Sequence, residues 1–352
     1  MLSTPVPVLE VGGTHVTAAL VDLAVGELAG EPVREPLPAQ GTAEEILGGI
    51  AATAARIDCP AAECWGVAVP GPFDYEAGVG LFRDVGKFDA LYGVDVRAEL
   101  LGRLRPTPTT LRFLNDADAF GIGESVAGAA ADHARAVCIT LGSGVGSAFL
   151  DQGQPVNNGP LVPPDGSVHL LSYGGRPLEH IVSRRGIRAA YARAALDPHV
   201  VPDVHTIADL ARRGDRHAYA VLEQAFRVLG AALAPWLARF EATALVVGGS
   251  IAASWDLIEG PLRAGLYAGG TGKLVLRTAE RAHDAPLLGA AWWVRTLTEA
   301  YDEGCGRAVE TSATVGWKRE RAQCPRPAVP DPPDPRPRPR CGMSPPVQAS
   351  VP

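Results

Sequence analysis

The chain has 352 residues, of which 47% are hydrophobic and 20% charged, and a net charge of −7. That is apolar material for about two domains of ordinary size. With 32 basic against 39 acidic side chains, no excess of positive charge is available for nonspecific binding to nucleic acid or to an anionic membrane surface. No apolar stretch approaches the ~20 residues of a membrane span, and the opening MLSTPVPVLE has no basic segment followed by an apolar one. The expectation is a cytoplasmic protein that engages neither membrane nor nucleic acid. The six cysteines contain no C-x-x-C pair, so neither a structural zinc site nor a disulfide framework is expected.

In chain order, PVPVLEV and THVTAALVD read as two strands joined by a tight Gly12-Gly13 turn. A helix over TAEEILGGIAATAARI follows, with Thr42 as N-cap and Glu45 completing a capping box. ECWGVAVP is a buried strand that ends at Pro70-Gly71-Pro72. TTLRFLND is another strand, with ADAFGIGESVAG the helix after it. AVCITLGSGVGSAFLD repeats the opening design of strand, glycine turn and strand. A helix covers about 217–240, with a kink expected at Pro235, EATALVVGGS is a strand ending in two glycines, and APLLGAAWWVRTL is a final apolar helix.

Both halves thus open on a glycine-turned hairpin and continue with mixed strands and helices. This predicts an α/β protein of two related domains facing each other, with ligand loops at the strand ends. The composition changes near residue 300: from Pro325 to Pro352, 11 of 28 residues are proline. Proline fixes φ and removes a backbone donor, so 301–352 is expected to be a disordered tail.

Three glycine turns recur at the ends of apolar strands: Gly12-Gly13-Thr14, Gly142-Ser143-Gly144-Val145-Gly146 and Gly248-Gly249. Glycine lets backbone N–H groups approach a phosphate. Each turn alone is equally an ordinary hairpin, and none is a Walker A or Rossmann loop; together they point to nucleotide phosphates. Asn115-Asp116-Ala117-Asp118 lies where a strand meets a helix. There one polar side chain, Asn115 or Asp118, is expected to cap the helix while Asp116 stays free as a general base. His169 and Glu179 flank LLSYGGRPLE, placed to hold hydroxyls of a polar substrate or, equally, to be a surface histidine and a helix-start glutamate.

The ordered blocks LEVGGTHVTAALVD, GVAVPGPFD, FLNDADAFGIGE, CITLGSGVGSAFL, LEHIVSRRGI, LVVGGSI and APLLGAAWW, over about residues 5–298, resemble the ROK family of sugar kinases. The resemblance implies an actin-like (ribonuclease H-like) ATPase fold of two α/β domains: 1–117 with 286–300, and 118–285. It implies transfer of the ATP γ-phosphoryl group to a hexose, with glucose to glucose 6-phosphate as the default, in the presence of Mg²⁺. Carried over residue by residue, Gly12, Gly13 and Thr14 form a first phosphate loop. Gly142, Ser143, Gly144 and Gly146 form a second, and Gly248 and Gly249 lie near the adenosine. Asp116 falls on the catalytic base, and Asn115, His169 and Glu179 on sugar-binding positions. A homodimer is the family's usual assembly.

The chain also departs from the family pattern. Glu10 stands where an aspartate is usual and is expected to approach Mg²⁺ through water. Ser167 replaces a sugar-binding glutamate, and LLSYGGRPLE replaces the zinc-binding cysteine cluster, so no zinc is expected. GLFRDVGKFDALYGVDV, with Lys87, replaces an asparagine-containing sugar segment. The alternative reading is a noncatalytic sugar sensor. Only nine residues precede Glu10, too few for the helix-turn-helix of the family's repressors.

Overall fold

The computed structural model describes residues 5–59, 62–195, 201–268 and 274–296; the proline-rich segment 301–352 lies outside the described residues. The first hairpin pairs β1 (Val6–Val11) with β2 (His15–Asp22) in register Glu10 to Thr17 and Val11 to Val16. Two short strands, β3 (Glu27–Leu28) and β4 (Val33–Pro36), pair with β2. Helix α1 (Ala43–Ala54) starts at Thr42, whose side chain and that of Glu45 form the expected reciprocal cap. Strand β5 (Cys64–Val69) runs parallel to β1, and the ribbon β6 (Phe73–Asp74) with β7 (Val79–Gly80) and helix α2 (Val96–Arg103) follow. Strand β8 (Thr110–Asn115), parallel to β5, leads directly into α3 (Asp116–Ala127).

The second half begins with the hairpin β9 (Arg135–Leu141) and β10 (Val145–Asp151), edged by β11 (Gln154–Pro155). A small ribbon, β12 (Ser172–Tyr173) with β13 (Arg176–Pro177), precedes α4 (Glu179–Val182), α5 (Arg184–Ala194), α6 (Val204–Arg212) and α7 (Arg216–Phe240). Helix α7 is a single element through Pro235. Strand β14 (Ala244–Gly248) is parallel to β9, α8 (Trp255–Ala268) follows, β15 (Val275–Thr278) is parallel to β14, and α9 covers 285–296.

The two main sheets share one plan, β3-β2-β1-β5-β8 and β11-β10-β9-β14-β15. Side chains alternate faces along a strand, and the cores follow that alternation. Leu9, Val11, Val16 and Val67 pack with α1 and α2 through Ile46, Leu47, Ile50 and Leu100. On the opposite face Val8, Ala19, Ala68 and Leu114 join a cluster with Ala119 and Ile122 of α3, Ala136 and Cys138 of β9, and Leu287 and Leu288 of α9. Helices α3 and α9 therefore lie between the sheets.

They meet at backbone distance. A Cβ on Gly123 would lie 2.0 Å from the Ala285 carbonyl oxygen, and one on Gly289 1.9 Å from that of Ala119. Both are inside the range any side chain tolerates, so the seam requires glycine. The fully buried Glu124 fixes the approach to α9. Its carboxylate accepts from the N–H groups of Ala129 at 2.8 Å, Arg281 at 2.8 Å and Glu280 at 3.2 Å, which satisfies a charge that would otherwise be costly to bury.

One local expectation is corrected. The first hairpin is not closed by Gly12-Gly13 alone: Gly12, Gly13 and Thr14 separate the strands, and neither glycine has positive φ. Closure comes from the Gly12 N–H donating to the His15 carbonyl at 2.8 Å.

Candidate active site

The junction of β8 and α3 sets the geometry. Asn115 is the N-cap: its Oδ1 accepts from the Ala117 N–H at 2.9 Å and the Asp118 N–H at 3.3 Å. The cap is thus asparagine, one of the two alternatives open from sequence. The Asn115 Nδ2 donates to the Tyr75 hydroxyl at 2.9 Å, and Tyr75 donates to the Val69 carbonyl at 3.3 Å. Tyr75, which sequence reasoning did not single out, so ties the cap to the end of β5; burial pushes its phenol upward.

Asp116, the first residue of α3, is only partly covered. Its Oδ1 accepts from the Ala117 N–H at 2.9 Å, and no side chain among the described residues donates to the carboxylate. Burial raises its carboxyl above the ordinary carboxylate range, and the positive charge of Lys87 pulls it down. Such a carboxyl is a better proton acceptor than a solvated one. Glu10 shares the environment. It has the parity of Val8 in β1 and so points to the α3 side. Burial raises its carboxyl as well, the guanidinium of Arg34 on β4 opposes that, and the nearby Asp116 charge adds to it. Asp118 is lifted to about 6 by burial against a 3.0 Å hydrogen bond from Asn157 Nδ2.

The glycine loops supply donors. The N–H groups of Gly13 and Thr14 in the first loop, and of Ser143 and Gly144 in the second, meet no acceptor among the described residues. The second loop is closed by Gly142 N–H to the Gly144 carbonyl at 3.0 Å and held by the Arg184 N–H to the Gly142 carbonyl at 2.9 Å. It lies against α3: a Cβ on Gly146 would be 2.8 Å from the Ala117 Cβ. The third loop supports the second, with Gly249 at φ +84° against the Leu141 backbone and Ser250 opposite Gly142. Gly248 packs on the Phe120 ring.

Glu179, the first residue of α4, is adjacent to the second loop, with an Oε1 3.4 Å from the position of a Cβ on Gly144. His169 is exposed in a short turn (Val168–Leu170) and makes no hydrogen bond among the described residues. Its segment is anchored to β10 because Ser147 Oγ donates to the Gly166 carbonyl at 2.7 Å and accepts from the Val168 N–H at 3.0 Å. The structure thus gathers Glu10, Asn115, Asp116 and the first loop on one side. Gly142–Gly146, Gly248, Gly249 and Glu179 lie on the other, with Ala117 and Gly146 as the junction. His169 makes no hydrogen bond to either group among the described residues. Arg34, Tyr75 and Asn157 join the site only through the fold.

No cluster of three or more metal-ligating side chains is found among the described residues. The donor set still fits Mg²⁺, which keeps several waters and needs only one or two carboxylates beside substrate phosphates; Glu10 and Asp116 provide such a pair. No described helix is long and apolar enough to cross a membrane.

Known proteins extend the comparison. The chain is 28% identical to the glucokinase of Thermotoga maritima over 278 residues, 72% of this chain and 84% of that protein. It is 30% identical to the N-acetylmannosamine kinase of Escherichia coli over 307 residues, 80% of this chain and 96% of that protein. The crystal structure of a ROK family glucokinase from Streptomyces griseus in complex with glucose and AMPPNP superposes with a TM-score of 0.63 at 23% identity, covering 82% of this chain and 98% of that one. This likeness establishes the actin-like ATPase fold. The family's sequence pattern spans residues 7–297, and the chain belongs to the ROK family.

Proposed function

We propose that this protein phosphorylates a hexose hydroxyl with ATP, with glucose to glucose 6-phosphate as the first substrate to try. The observation that carries the reading is the partly covered Asp116 carboxyl, to which no side chain donates among the described residues, beside four unpaired loop N–H groups. Asp116 accepts the proton of the attacking hydroxyl. The N–H groups of Gly13, Thr14, Ser143 and Gly144 bind phosphate oxygens and disperse the charge that develops during transfer. Asn115 holds the base in place through the cap, and Glu179 orients a sugar hydroxyl. His169 reaches the sugar if the two halves, 1–117 with 286–300 and 118–285, close on it. Glu10 would hold Mg²⁺, which would supply positive charge to the phosphates.

ADP release measured across a hexose panel with ATP and Mg²⁺ tests the proposal. Turnover with glucose, mannose or an N-acetylated hexosamine supports a kinase and names the sugar. Sugar binding by calorimetry without ADP release replaces it with the noncatalytic sensor, a reading that Ser167 favours: its hydroxyl bonds to the Asp165 carbonyl at 3.2 Å where the family pattern has a carboxylate. Light scattering on the full chain tests for the homodimer.

A further inference from the structure

The segment between β7 and α2 carries a cation that the reading above does not use. Residue 87 is fixed on both sides. The Phe88 side chain is 1% exposed, and its N–H donates to the Ala39 carbonyl at 2.6 Å. The Val85 and Gly86 N–H groups donate to the Asp89 carboxylate at 3.0 and 3.1 Å, and Gln40 Nε2 donates to the Gly86 carbonyl at 3.3 Å. Such anchoring is unusual for a lysine that merely covers surface.

The half-buried side chain runs along the first glycine loop, with Cδ 3.7 Å from the position of a Cβ on Gly13. Beyond that loop it acts on the charge of Asp116. No carboxylate lies within 4.0 Å of its ammonium and no hydrogen-bond acceptor meets it among the described residues. An ammonium that meets no acceptor among the described residues has its three donors available to an anion. The space it borders has the unpaired Gly13 and Thr14 N–H groups on one side and the proposed base on the other.

We propose that Lys87 is a phosphoryl-binding residue, its ammonium holding an oxygen of the phosphoryl group as that group passes from ATP to the sugar. In this step the sugar oxygen bonds to the γ-phosphorus and the bond from that phosphorus to the bridging oxygen breaks. ADP leaves with the electron pair, and the hydroxyl proton goes to Asp116. A lysine serves here as a point charge on the moving group. It also offsets the crowding of Glu10, Asp116 and Asp118 at one place. The inference rests on the kinase reading.

Lys87→Met and Lys87→Arg, compared with the full-length protein, test it on the hexose that the panel selects. Melting temperatures first establish that both variants fold. For Lys87→Met, kcat should fall roughly 10²-fold, the scale of losing one transition-state donor, while the sugar KM stays within about threefold. Binding of the sugar phosphate product should weaken more than tenfold, with binding of the free sugar unchanged, and Lys87→Arg should recover part of both. Near-normal kcat, or equal weakening of sugar and sugar phosphate, overturns the role of Lys87 and leaves the kinase reading intact. A wild-type protein silent on every hexose removes both.

Discussion

The two central hairpins occupy equivalent places in sheets of the same strand order, yet they are furnished differently. In the first, Glu10 is the second-last residue of β1 and pairs with Thr17; in the second, Thr140 holds that position in β9 and pairs with Gly146. A carboxylate thus stands on one side where the other has a hydroxyl against a bare backbone. The missing side chain at Gly146 admits Ala117, so the start of α3 can rest on the second hairpin while belonging to the first half of the chain. One scaffold used twice divides the work: both copies offer free loop N–H groups, the first adds charge and the second adds space. The division places Asp116 where both meet.

The sharpest way to break this comparison is to remove the charge. Asp116→Asn keeps the shape and one acceptor oxygen, and should lower kcat by about 10²–10⁴ with an unchanged melting curve. Near-normal ADP release would move the base elsewhere. The converse variant fills the space. Gly146→Ala puts a Cβ 2.5 Å from Thr140 Oγ1 and 2.8 Å from the Ala117 Cβ, an overpacking that costs about 1–3 kcal/mol. Because it displaces the residue next to the base, turnover should fall by more than the lost stability explains, read from kcat at a temperature where the variant is fully folded.

Asp118 tests the electrostatic side. Its folded carboxyl titrates at about 6 against an ordinary 3.8, so between those values the folded protein holds a proton that the unfolded chain has released. Stability from this group is therefore present at low pH and declines as pH rises through about 6. Asp118→Asn, which keeps an acceptor for Asn157, should flatten that part of the curve and add on the order of 1–3 kcal/mol near neutrality, measured by urea unfolding at several pH values. The smallest effect belongs to the cap. Asn115→Ala loses both hydrogen bonds to the start of α3 and should cost about 1 kcal/mol, with a matching rise in proteolysis at the β8–α3 junction.

What the sequence disclosed was what is local or periodic. The capping box at Thr42 and Glu45, the strand alternation of Val8 to Val11 and the glycine hairpins can each be read within a dozen residues. The Asn115 cap was one of two local choices, and geometry selected it. The contacts that complete the site join distant segments: Tyr75 to Asn115, Asn157 to Asp118, and Arg34 to Glu10 across the register of β4, β2 and β1. No spacing rule announces such pairs, because strand order and register create them. The turn after β1 is longer than the Gly12-Gly13 pair suggests because Thr14 also lies between the strands, and the glycines keep that loop bare beside Lys87.

The seam between the sheets also bears on how the polypeptide is made. Val8, Ala19 and Ala68, near the start of the chain, share their cluster with Leu287, Leu288 and Ala291, and the buried Glu124 waits for the N–H groups of Glu280 and Arg281. During synthesis the early half emerges with this face open and the Glu124 carboxylate without its Glu280 and Arg281 donors, until α9 leaves the ribosome. A nascent chain stalled before residue 280 should therefore be sticky and a client for chaperones, whereas one extended past 296 can bury the whole face in a single step.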